Sequence, residues 1–130
     1  MKNINTLAAL LFAIAVFQLA CTKERQPREP RTVHFVLYTE KDFSGQEGNI
    51  TFTVYAKNGR DTVFDSTWRV MKVRDIPTKA NKIVFEKTFE DNGSDLEAGF
   101  KYYLENVGYS WYYDTCRSGE KFKVIEYSFR

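Results

Sequence analysis

The chain has 130 residues, of which 43% are hydrophobic and 28% are charged, and its net charge is +2. A chain of this length favours one folded domain, and this composition excludes a disordered polymer. The small net charge gives no electrostatic basis for binding nucleic acid, so we expect no nucleic-acid partner. Aromatic residues make up 16% of the chain, which favours a small core built from large rings.

The first twenty residues have the layout of a secretory signal peptide. Lys2 supplies a positive start, the apolar stretch 7–17 follows, and Leu19 and Ala20 precede Cys21. As a helix the apolar stretch would be about 16 Å long, well short of a hydrocarbon core of about 30 Å. We therefore predict a cleaved signal peptide over 1–20 and no permanent spanning helix.

The Ala20-Cys21 pair resembles the lipobox of bacterial lipoproteins, although Gln18 and Leu19 depart from the usual residues of that motif. The resemblance implies cleavage before Cys21 and acylation of its thiol, with palmitate among the chains. Thr22 is not the Asp that signals retention, which by the same resemblance favours an outer membrane. The alternative is an uncleaved segment with an unmodified Cys21, free to pair with Cys116.

The composition of the residues after Cys21 predicts an extended tether. The ten residues 22–31 include no apolar side chain able to pack and carry two prolines. Fully stretched, they would span about 31–33 Å. The predicted organisation is a signal peptide over 1–20, a lipidated cysteine and tether over 21–31, and one folded domain over 32–130.

From residue 32 onward apolar and polar residues alternate with a period of two, which is typical of strands. The pair Asn58-Gly59 marks a tight hairpin. We predict an all-β, antiparallel β-sandwich of about seven strands and immunoglobulin-like size, without the paired-cysteine signature of immunoglobulin domains, and other small sandwich topologies remain open. The predicted strands cover 32–38, 50–56, 62–73, 82–89, 96–104, 109–113 and 121–129.

An aromatic stripe is the candidate ligand-binding surface. Tyr109, Trp111 and Tyr113 share one face of a predicted strand, with Tyr112 on the other. Rings in this arrangement stack on sugars or apolar ligands, and the alternative is that they pack in the core. Three tyrosines would extend the stripe if their strands are neighbours: Tyr55, Tyr102 and Tyr103.

A cluster of oxygen ligands raises the alternative of calcium. Asp91, Asn92, Asp95 and Glu97 lie together in one predicted turn region. Calcium needs six to eight oxygens, which loops at one end of a sandwich can supply. The spacing does not match an EF-hand, and acidic residues are common in turns for backbone reasons. We predict no bound metal in the leading interpretation.

No catalytic constellation is visible. His34 is the only histidine and is expected on a strand surface, which excludes a site that needs two histidines. Cys116 is expected to be a small buried apolar residue at a strand end, with a reactive thiol as the alternative. An enzyme would require carboxylates such as Asp65 and Asp114 to meet in the fold.

The sequence therefore predicts a lipid-anchored cell-envelope protein with a non-enzymatic binding or structural domain outside the cytoplasm. We expect no cofactor. The expected partners are the membrane, through the lipid, and an envelope protein or glycan. The alternative is a surface-displayed calcium- or carbohydrate-binding module.

Overall fold

A computed structural model describes residues 28–130, so the predicted signal peptide and Cys21 lie outside the described residues. The described part contains seven strands and two short 3-10 turns, at Val73–Asp75 and Lys79–Asn81. Within residues 28–130, no helix has the length and apolar character needed to span a bilayer. The strands are β1 (Arg31–Thr39), β2 (Asn49–Asn58), β3 (Asp61–Lys72), β4 (Ile83–Phe89), β5 (Leu96–Leu104), β6 (Gly108–Cys116) and β7 (Phe122–Phe129).

The strands form two sheets, which confirms the predicted all-β sandwich. The three-stranded sheet has the order β4-β1-β7, and the four-stranded sheet has the order β3-β2-β5-β6. Every neighbouring pair is antiparallel except β1 and β7, which run parallel. A parallel pair needs a long connection, and these two strands lie at opposite ends of the domain sequence, so the whole chain between them serves as that connection.

Alternating side chains from both sheets meet in an aromatic core. Phe35, Phe52 and Phe100 have no exposed surface. The rings of Phe35 and Phe100 join the two sheets edge to face, with centroids 5.8 Å apart. Phe52 makes a similar contact with Phe129, at 6.0 Å. Each such pair adds about 0.5–1.5 kcal/mol of stability to that gained from burying its apolar area, which helps a small domain to stay folded.

The predicted hairpin between β2 and β3 is confirmed, but its two-residue loop begins one residue later than the pair Asn58-Gly59 suggested. Asn58 pairs with Asp61, so Gly59 and Arg60 are the two loop residues. Gly59 has a φ of 61°, whereas Asn58 is the last residue of its strand. Glycine at the first loop position is the pattern of a type II′ turn, which requires positive φ there.

The folded domain begins at Arg31, the last residue of the predicted tether and one residue before the predicted start of the domain. The Arg31 side chain is 1% exposed, and its Nη2 donates to Asp91 Oδ1 at 2.8 Å and to the Ser94 carbonyl at 2.7 Å. Its Nη1 donates to the Cys116 carbonyl at 3.2 Å. A pattern of apolar residues does not reveal a buried arginine whose partners are far away in the sequence. We call this end of the sandwich, where β1 begins, the tether end.

Candidate functional site

The aromatic stripe lies on the outer face of the four-stranded sheet. Tyr109, Trp111 and Tyr113 belong to the edge strand β6 and are 78%, 67% and 50% exposed. These three rings are therefore outside the core. A contiguous group of exposed rings, unlike a single exposed ring, is a candidate binding surface.

Of the three further tyrosines, one extends this exposed surface, one is buried beneath it and one lies on the opposite face of the sheet. The Tyr103 ring on β5 packs against Tyr109 with centroids 4.7 Å apart. Tyr55 on β2 lies beneath the side chains of β5 and β6 and is 2% exposed. Tyr102 points to the opposite face, where its ring lies 5.8 Å from Phe52 in the core.

A small cleft lies in this outer face, with a volume of about 280 Å³. We call it the outer cleft. Its volume lies just below the range of ligand sites, which runs from about 300 to 1,000 Å³. Three adjacent strands supply its lining: Tyr55, Lys57, Glu97, Lys101, Trp111 and Tyr113.

The floor of the outer cleft is a tyrosine held between charged side chains. Tyr55 donates its hydroxyl to Glu97 Oε1 at 3.4 Å. The ammonium groups of Lys101 and Lys57 lie 5.0 and 5.7 Å from the centre of its ring. Burial, reinforced by the Glu97 carboxylate, raises the pKa of Tyr55 to about 12. The hydroxyl therefore keeps its proton at neutral pH and remains a donor.

The charges around the outer cleft are balanced. Lys101 forms an ion pair with Asp65 on β3, and Glu97 accepts the Tyr55 hydroxyl, while Lys57 lies opposite Glu97 in the sheet. Two cations and two anions thus surround the cleft. The local field favours neither a polyanion nor a polycation.

Gly99 allows the backbone of β6 to approach β5 closely at the outer cleft. It lies on β5, opposite Tyr113, between the outward side chains of Glu97 and Lys101. A Cβ atom at Gly99 would lie 2.0 Å from the Tyr112 carbonyl oxygen. Gly99 is not among the residues predicted from the sequence, although a glycine inside an alternating strand is a signal of close backbone approach.

Comparison of the chain with protein-family models, curated proteins and solved structures gave no match. The chemistry of the outer cleft is therefore inferred from its own residues.

The acidic turn does not assemble into a metal site. Both carboxylate oxygens of Asp91 are used: the Gly93 and Gly119 amides each donate at 2.8 Å, and Arg31 donates to Oδ1. These amides, and then the guanidinium, hold the pKa of Asp91 below its usual value. A depression of about 770 Å³ lies at the tether end, and its lining includes the other residues of the acidic turn, Asn92, Asp95 and Glu97. Within residues 28–130, no group of three His, Cys, Asp or Glu side chains has metal-site spacing.

His34 and Cys116 occupy the positions expected of structural residues. His34 lies on the outer face of the three-stranded sheet, with Nε2 2.7 Å from Glu86 and its ring edge-on to Phe122. Cys116 has no exposed surface, and its Sγ lies 3.6 Å from the Glu120 carbonyl. Burial raises the pKa of the Cys116 thiol, which disfavours the reactive thiolate.

The carboxylates that an enzyme would have to bring together are far apart. Asp65 lies on β3 and Asp114 on β6, the two edges of the four-stranded sheet. Each has its own cation, Lys101 for Asp65 and Lys123 for Asp114. Two strands separate Asp65 from Asp114, so the fold does not bring this pair of carboxylates together.

Proposed function

We propose that this protein is a lipid-anchored cell-envelope protein whose β-sandwich binds a ligand, without catalysis, through the outer cleft. The observation that carries the proposal is the exposed pair Trp111 and Tyr113 beside the buried polar floor of Tyr55. An apolar wall next to a few fixed polar groups is the usual composition of a ligand site.

The ionisable groups of the outer cleft support binding rather than catalysis. Asp65 is neutralised by Lys101, and Glu97 accepts a hydrogen bond from a tyrosine that stays protonated. A general acid or base needs a proton that it can exchange with a substrate. The groups at the outer cleft are instead paired with one another, Lys101 with Asp65 and Tyr55 with Glu97.

The anchor part of the proposal rests on the lipobox-like sequence at Cys21, which precedes the described residues. Nine residues, 22–30, separate Cys21 from the first strand. Extended, they would reach about 28–30 Å. The tether joins the domain at one end of the strands, while the outer cleft opens on a side face, so anchoring would leave the cleft accessible.

Oxidative footprinting in intact cells tests whether the outer cleft is occupied. The full chain in its envelope is compared with the full chain purified in detergent, and hydroxyl-radical labelling is read by mass spectrometry. We expect labelling of Trp111 and Tyr113 to fall several-fold in cells. Phe122, which is 52% exposed on the other sheet, is the matched control and should label equally in both samples. Equal labelling of Trp111 in both samples would contradict a bound ligand.

A further inference from the structure

We infer that the ligand of the outer cleft is a neutral oligosaccharide. This inference rests on the proposed function, because it assigns a chemical class to the ligand of the same site. It is carried by the joint presence of exposed rings, mixed donors and acceptors, and balanced charge around one cleft.

The walls of the outer cleft suit the apolar face of a sugar ring. Trp111 and Tyr113 keep about half or more of their surface exposed, at 67% and 50%. The C–H groups on one face of a pyranose carry a slight positive charge and pack on the negative face of an aromatic ring.

The polar groups of the outer cleft suit hydroxyls. Lys57 and Lys101 are donors, whereas the carboxylates of Glu97 and Asp65 and the hydroxyl oxygen of Tyr55, whose proton is donated to Glu97, are acceptors. A hydroxyl donates one hydrogen bond and accepts others, so neighbouring sugar hydroxyls can satisfy both kinds of group at once. A carboxylate or phosphate ligand only accepts, so it could use the lysines but could donate nothing to the carboxylates of Glu97 and Asp65.

Charge balance disfavours an acidic saccharide. An anion that approaches Lys101 also approaches Asp65, with which Lys101 is paired. The attraction and the repulsion largely cancel, and desolvating the anion adds a cost. Neutral hexose or N-acetylhexosamine units avoid both penalties.

The aromatic stripe predicts a chain of sugars rather than a single ring. Tyr109, with Tyr103 packed against it, continues the outward face of β6 beyond Trp111. Outward side chains on one strand are about 6.8 Å apart, so Tyr113 and Tyr109 are separated by about 14 Å. We therefore expect affinity to rise from monosaccharide to trisaccharide.

A glycan array tests this inference. The full chain is purified in a detergent without a sugar headgroup and applied to neutral hexose and N-acetylhexosamine oligosaccharides beside uronate-containing and sialylated ones. We expect hits among the neutral chains, and binding about tenfold weaker for Trp111→Ala. Phe122→Ala truncates an exposed ring on the other sheet and should bind as the parent does. Tyr109→Ala should weaken trisaccharide binding while leaving disaccharide binding unchanged.

The alternative outcomes separate this inference from the proposed function. Hits confined to acidic saccharides, or neutral hits unaffected by Trp111→Ala, overturn the neutral-sugar assignment. An empty array together with protection of Trp111 in cells overturns the sugar assignment and leaves the binding face supported. An empty array with Trp111 unprotected in cells overturns both.

Discussion

At the scale of single residues, Arg31 holds the tether end together. Its guanidinium contacts Asp91, the Ser94 carbonyl and the Cys116 carbonyl, and its Nε has no hydrogen-bond partner among the described residues. Arg31→Met would keep much of the buried volume but leave Asp91 without its cation. Removing one partner of a buried ion pair costs about 3–5 kcal/mol. Urea unfolding of Arg31→Met should show this loss, and a loss below about 1 kcal/mol would mean that the pair is dispensable.

Asp91 makes the same cluster sensitive to acid. Backbone amides and Arg31 lower its pKa, so the folded state gains stability from Asp91 only while the carboxylate is ionised. That gain is complete above the ordinary aspartate pKa of about 3.9 and is lost as the pH falls through the lower folded value. Asp91→Asn should therefore lower the urea midpoint at pH 7, and this effect should shrink as the pH falls below the ordinary aspartate pKa. An effect of constant size over that pH range would show that the ionised carboxylate adds no stability.

Truncating the two tryptophans should have different effects on the free energy of unfolding. Trp111 is 67% exposed, whereas Trp68 packs against the core near Phe85 and Phe100. Trp111→Ala should change the free energy of unfolding by less than about 0.5 kcal/mol, and Trp68→Ala should lower it by about 3 kcal/mol. Thermal melts of the two variants measure the contrast. A large destabilisation by Trp111→Ala would indicate that its ring has a structural role.

At the scale of elements, the approach of β6 to β5 depends on Gly99. A Cβ there would lie 2.0 Å from the Tyr112 carbonyl oxygen, so the backbone of β6 would have to move. Gly99→Ala should cost about 1–3 kcal/mol. It should also weaken the near-ultraviolet circular dichroism of the Tyr112 and Tyr127 rings, whose centroids lie 5.2 Å apart.

The control for this variant is Gly45→Ala. A Cβ atom at Gly45 would have no neighbouring atom within 4 Å, so the extra methyl has open space. The urea midpoint and circular dichroism of Gly45→Ala should match those of the parent. If Gly99→Ala behaves as Gly45→Ala does, the close approach of β6 is not a constraint.

The strands were largely predictable from the sequence, because each one alternates apolar and polar residues along its own length. The pairing of β1 with β7 was not, because parallel pairing leaves no mark on either strand. The hairpin at Gly59 was predicted from its dipeptide, but only the observed ladder shows which residues close it. Arg31 was assigned to the tether because its charge, taken alone, indicates exposure.

At the scale of the whole molecule, the outer cleft is a product of strand order. Tyr55 on β2 and Trp111 on β6 line the same cleft because β5 lies between these two strands and pairs with both. The exposed rings of β6 were candidates from the sequence, while the buried floor and the charged rim depend on which strands are neighbours. Tyr102 lies on the core face of β5, two residues along the strand from Phe100.

The whole chain, as proposed, holds this cleft at the cell envelope through a lipid on Cys21. Intact-mass spectrometry of the protein extracted from membranes, beside Cys21→Ala, tests that claim most directly. We expect a mass that lacks residues 1–20 and carries added acyl chains, and we expect Cys21→Ala to abolish both changes. An unmodified chain in the soluble fraction would contradict the lipid anchor and would leave Cys21 as an ordinary thiol.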